Sequence, residues 1–328
     1  MSEKMSCESK MMNASAPPLL LPPLLLPPPY TLDEGAGESS TDQKSVDYIS
    51  DVFNMLFLIP FWLQTMLYTF FEKRFVFVVD DSASMNTPVM VPQENGKEIK
   101  TTRWEELKKS VLKAFDLSIG FANSGIDIYF LNRPPLLGVK NRQEIIDCFK
   151  ILASGGTPLF KVLQTVHEKY NNLPGKTSIT VWTDGTPDDE KLAIGVFDKF
   201  YPNKKRVNFS ICIVLCTDDE TVVKTYAVYD KIYPLEVYDD YHSQITAIDK
   251  VQNKHKVKIP INEDTYFALI FVAPWCDELD SLNEKCITRR QLNKIALKFA
   301  DLNDKEHKYP RLEEPSSPGL FRKMFSCF

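Results

Sequence analysis

The stretch FVFVVD (residues 75–80) is apolar until it stops at an acid, and a second acid follows at once. A short, continuous apolar run of this kind predicts a strand covered on both faces. TSITVWTDGTP (177–187) and VNFSICIVLCTDD (207–219) follow the same rule, and GIDIYFLN (125–132) reads as a further strand. Between them the apolar spacing changes to that of helices. Trp104, Leu107, Val111, Phe115 and Ile119 mark one over 101–119, and Leu159, Leu163, Val166 and Tyr170 mark another over 158–171. A third helix is expected near 141–152, and EDTYFALIFVAPW (263–275) and TRRQLNKIALKFADL (288–302) read as two more. Strand and helix in alternation predict an α/β fold, a Rossmann-like, doubly wound and mostly parallel sheet flanked by helices.

The pattern fails before residue 51. The head, 1–50, is rich in Pro, Ser, Leu and acids without a helical or strand period, which predicts disorder. Within it PPLLLPPLLLPPPY favours extended polyproline II. Pro27, Pro28 and Tyr30 form a PPxY motif that resembles the ligand of WW domains, including those of HECT-type ubiquitin ligases. Residues 52–71, VFNMLFLIPFWLQTMLYTFF, then run for 20 positions without a charge, about the length of a membrane span. Asn54, Gln64 and the central Pro60 argue against a span, so a helix packed on the domain and a membrane-associated segment both stay open.

Composition narrows the classes. With 328 residues and 44% hydrophobic content the chain can bury a large core. A net charge of −5 lacks the basic footprint that nucleic acid selects. Seven scattered cysteines, an odd number, read as reduced thiols in a cytoplasmic setting. Cys212 and Cys216 share one face of a strand and read as core. The first residues lack the basic and apolar regions of a secretory signal.

Ligands in open α/β sheets collect beyond the carboxyl ends of the strands, and there the polar residues of this chain gather. DDSAS places Asp80, Ser82 and Ser84 after the first strand, SGGTP places Thr157 before a helix, and TDGTP places Asp184 after SITVWT. Singly, Ser84 or Thr157 reads as a helix cap and TDGTP as a turn. Together, in this order, they resemble the metal-ion-dependent adhesion site of the von Willebrand factor type A domain, over roughly residues 75–245. The DDS start, GIDIYFLN and the PPxY head look like an intracellular, fungal-type group of proteins with a single such domain. The resemblance implies an A domain over 72–245, after an uncharged segment over 51–71, with a helical extension packed on it over 246–300 and a tail over 301–328. It also implies direct metal ligation by Ser82, Ser84 and Thr157, and direct or water-bridged ligation by Asp80 and Asp184. The expected cofactor is Mg²⁺, or Mn²⁺ or Ca²⁺, and the expected partner a protein that supplies an Asp or Glu carboxylate.

The donor chemistry agrees, because a hard divalent cation prefers oxygen ligands. An aspartyl phosphatase would need a second acid at position 82, where Ser82 stands. His167, His242, His255 and His307 are scattered, and no nucleophile-elbow, P-loop or zincin motif occurs. The resemblance implies a non-enzymatic interaction module, with a PPxY adaptor for ubiquitin ligases as the alternative and a metal-dependent hydrolase as the second. In the tail, Cys327 near Arg322 and Lys323 suits lipid contact or palmitoylation, its position excludes prenylation, and a solvated tail is the default expectation.

Overall fold

The structure is a computed structural model that describes residues 59–70, 73–92, 98–254, 259 and 261–303. All of them belong to one compact unit, Ser39–His307. The PPxY residues Pro27, Pro28 and Tyr30, the start of the uncharged run and the tail with Cys327 lie outside the described residues.

Six strands form one mostly parallel sheet: β1 (Arg74–Val79), β4 (Ile126–Phe130), β5 (Leu136–Val139), β6 (Thr177–Thr183), β7 (Phe209–Leu215) and β8 (Glu236–Tyr238). Their spatial order is β5-β4-β1-β6-β7-β8. Only β5 runs antiparallel to its neighbour. A separate antiparallel hairpin, β2 (Pro88–Pro92) with β3 (Glu98–Thr102), follows the first site loop. The hairpin has no counterpart in the apolar pattern, because it has little core to face: Met90 and Ile99 are exposed.

Successive residues of β1 point to opposite faces of the sheet, as the two-residue period of a strand requires. Phe75, Phe77 and Val79 enter one apolar cluster, whereas Val76 and Val78 enter another. The second cluster is closed by α4 (Leu159–Tyr170), α5 (Ala193–Phe200) and α6 (Glu220–Ile232). The first is closed by α1 (Phe61–Leu67), α2 (Arg103–Ser118), α3 (Arg142–Phe149), α8 (Glu263–Val272) and α10 (Arg289–Asn303). The remaining helices are α7 (Tyr241–Lys254) and the one-turn α9 (Asp277–Asp280).

Helix α8 explains its own composition. Every residue from Asp264 to Val272 is buried, so the helix is apolar almost all round, as a core helix must be. Phe271 meets Phe75 edge-on at 5.3 Å. Its one buried acid, Asp264, is paired with Lys113 at 2.7 Å.

Where it is described, the uncharged run packs on the domain. Trp62, Leu63, Met66, Leu67 and Phe70 are buried in the first cluster, and α1 packs against α8 and α10. No helix among the described residues is long and apolar enough to cross a membrane.

Candidate functional site

The chain builds the sheet outward from β1, first through β4 and β5 on one side and then through β6, β7 and β8 on the other. Such a reversal leaves a crevice beyond the carboxyl ends of the two central strands. Here those strands are β1 and β6, and the residues that follow them are Asp80 and Asp184.

Asp80 is fully buried and closes its own loop. Its Oδ1 accepts the Ser82 amide at 2.9 Å, and its Oδ2 accepts the Thr183 hydroxyl at 2.6 Å. Burial raises its pKa above the usual carboxylate value, the Thr183 and Ser82 hydrogen bonds oppose the rise, and the nearby Asp184 charge adds to it.

From Asp80 the loop runs outward. Ser82 Oγ lies 2.9 Å from Ser84 Oγ, and the Ser84 hydroxyl donates to Asp184 Oδ1 at 2.7 Å. Residues separated by 100 positions thus meet in one hydrogen-bonded chain. Ser82 and Asp184 are buried, whereas Ser84 is exposed at the mouth of the crevice.

Thr157 joins from a third loop. Its Oγ1 lies 3.7 Å from where a Cβ on Gly185 would stand, which places it beside the Asp184 turn. Its loop is fastened to the first one, since Ala83 N donates to Gly155 O at 3.0 Å and Ser154 N to Asp81 O at 2.7 Å. It is fastened to the Asp184 turn as well, because Asp188 Oδ2 accepts Thr157 N at 2.5 Å. These contacts account for two glycines. Gly155 has φ +103°, and a Cβ at Gly156 would stand 2.2 Å from Asp188 Oδ2.

Neither hydroxyl residue is a helix cap. The Ser84 hydroxyl goes to Asp184, and the position before α4 is Pro158, which makes no side-chain cap bond. Asp189 does that work from another loop, accepting Phe160 N at 3.1 Å and Lys161 N at 2.8 Å.

The second acid, Asp81, faces away from this chain of bonds. It accepts Asn132 N at 2.8 Å and Arg133 Nε at 2.6 Å, and the Arg133 guanidinium lies over Trp104 and Phe130 at 5.3 Å. Asp81 therefore anchors the loop after β4.

Three contributors carry no signal of their own in the sequence. Thr183 looks like another strand residue, Asp188 like a turn acid, and Arg103 like the start of a helix. Yet Arg103 Nη1 donates to Asp184 Oδ2 at 2.8 Å and Nη2 to Thr217 Oγ1 at 3.0 Å.

Among the described residues no group of three or more His, Cys, Asp or Glu side chains is placed to hold a metal ion. The crevice offers a different donor set, two carboxylates and three hydroxyls, all oxygen, which is the preference of Mg²⁺ rather than of a thiophilic ion. Cys216 lies near both carboxylates, but burial first, and then the Asp184 and Asp80 charges, push its thiol well up and keep it protonated. No protein-family model matches the chain, and no curated protein matches it.

Proposed function

We propose that this chain is a non-enzymatic protein-interaction module of the von Willebrand factor type A kind. It takes acidic partners through a divalent ion held by Asp80, Ser82, Ser84, Thr157 and Asp184. The observation that carries the reading is the Ser82–Ser84–Asp184 chain at the reversal point of the sheet, with Ser84 open to solvent. The doubly wound strand order with one antiparallel edge strand supports the same reading.

The roles follow from what each group has left to give. Ser82, Ser84 and Thr157 would hold the ion directly, and neutral hydroxyls would leave most of its charge uncompensated. A bound Mg²⁺ supplies a positive centre for an Asp or Glu carboxylate of the partner. Asp80 accepts one hydrogen bond on each oxygen, so it orders the Ser82 loop, and it would act on a bound ion directly or through water, as would Asp184.

The test is thermal unfolding of the full chain in MgCl₂ and in EDTA, beside Ser84→Ala. At a hundredfold excess over Kd, Mg²⁺ should stabilise the wild type by about 2.7 kcal/mol. Ser84→Ala should lose most of that gain. If Mg²⁺, Mn²⁺ and Ca²⁺ all leave the wild type unchanged, the reading fails.

The sequence favours one compatible second role. Pro27, Pro28 and Tyr30 make the head an adaptor for WW-domain ubiquitin ligases, with the A domain choosing the client in the cytoplasm. Tyr30→Ala should abolish binding of a purified WW domain and leave the Mg²⁺ response intact.

A further inference from the structure

We propose that Arg103 is the resident counter-ion of the crevice. It keeps Asp184 neutralised and in place when no metal is bound, and it lowers the affinity for the divalent ion. The inference rests on the metal-dependent reading above and concerns a residue outside its ligand set.

The Asp184 side chain has no exposed surface, and a desolvated carboxylate needs a compensating charge. Arg103 provides it at 2.8 Å, with only 20% of its own side chain exposed. Its second arm donates to Thr217, which follows β7 and is itself fixed by the Asp219 amide at 3.2 Å. Its backbone is held too, since Arg103 N donates to Thr87 O at 3.1 Å at the end of the Ser84 loop. The guanidinium is therefore clamped at two points and the backbone of Arg103 at a third.

The two oxygens of Asp184 are divided as a result, Oδ1 to Ser84 and Oδ2 to Arg103. Arg133, on the far side of the first loop, is committed to Asp81. Asp219 near Arg103 is exposed and caps α6 through Thr221 N at 2.7 Å. The crevice thus holds Asp80 and Asp184 against one fixed positive charge. A divalent ion entering it is attracted by both carboxylates and repelled by the guanidinium, over distances at which a unit charge in a half-buried site changes affinity severalfold. Without the guanidinium, Asp184 would stand without a compensating charge whenever the ion left, held only by the Ser84 hydroxyl.

The experiment measures Mg²⁺ binding by calorimetry, and the melting temperature in EDTA and in MgCl₂, on the full chain. The variants are Arg103→Gln, Arg103→Lys and Thr217→Val. Arg103→Gln, which keeps a donor but loses the charge, should bind Mg²⁺ about tenfold more tightly. It should also melt lower than wild type in EDTA and recover in MgCl₂. Arg103→Lys should stay within about twofold of wild type, because the charge remains. Thr217→Val frees one arm of the guanidinium, should raise the affinity two- to threefold, and keeps the test decisive if the Gln variant does not fold.

Equal Mg²⁺ affinity and equal EDTA melting in wild type and Arg103→Gln would overturn the counter-ion role while leaving the metal site standing. So would a tenfold gain in Arg103→Lys, or an unchanged affinity in Thr217→Val should Arg103→Gln not fold. Absence of Mg²⁺, Mn²⁺ and Ca²⁺ binding in the wild type would instead overturn the metal-dependent reading, and this inference with it.

Discussion

Lys73 shows how one residue can carry a cost of its own. Its Nζ is buried with no hydrogen-bond partner, 3.5 Å from the centre of the Phe70 ring and within 6 Å of the Trp275 and Phe299 rings. Burial, and then the Lys176 charge, hold its pKa well below the usual lysine value. The ring contacts favour the ammonium by about 1–2 kcal/mol, which offsets only part of the several kcal/mol that its desolvation costs. The unfolded chain therefore holds this proton to higher pH than the folded one. Stability is depressed below the folded pKa and rises with pH up to the unfolded value near ~10.4. Lys73→Met should remove that rise and stabilise the protein at pH 7 by about 1–3 kcal/mol, read by urea unfolding across pH. At the crevice, Gly156→Ala forces a Cβ against Asp188 and should cost about 1–3 kcal/mol while weakening Mg²⁺ binding, by calorimetry. The doublet of glycines before Thr157 was readable as a loop from the sequence, but the carboxylate that makes the second glycine necessary is 32 positions away and was not.

At the scale of elements, the apolar period located the long pieces well. The helix expected over 158–171 is Leu159–Tyr170, and the one over 288–302 is Arg289–Asn303. The four strand candidates became β1, β4, β6 and β7, the interior of the sheet, where burial on both faces writes a continuous apolar run. The edge strands β5 and β8 and the exposed hairpin left no such trace, because a strand with one face or edge in water needs no apolar run. The start of α4 makes the same distinction testable. Its cap is Asp189, from a loop 30 positions downstream of Leu159, so local sequence rules miss it. Asp189→Ala should cost about 1 kcal/mol in chemical unfolding, as losing an N-cap does, and should loosen the loop that holds Thr157.

For the whole molecule, the segment ahead of β1 is a structural member of the domain. Leu63 and Met66 are fully buried beneath α8 and α10. Met66→Ala should therefore destabilise the chain by about 2–5 kcal/mol, measured by denaturant unfolding in the absence of lipid. A change under about 0.5 kcal/mol would show that the segment does not belong to the core. The cysteines fit the same interior. Cys212 lies in the first cluster with Cys216 packed against it, and burial, then the Glu278 carboxylate, pushes the Cys276 thiol up to about 12.

By itself the sequence determined the fold class, the order of the interior elements and five oxygen-bearing residues placed just beyond strands or before a helix. Each of these is written locally, in an apolar period or in a short motif at the end of a run. Tertiary structure alone decided that Ser84 and Asp184 share a hydrogen bond, that Asp81 turns away to Arg133, and that Arg103 stands against Asp184. It also decided that Ile59, Trp62, Leu63, Met66, Leu67 and Phe70 go into the core. Those outcomes depend on which strands become neighbours and on which buried charge needs a partner, and neither is encoded within a window of contiguous residues.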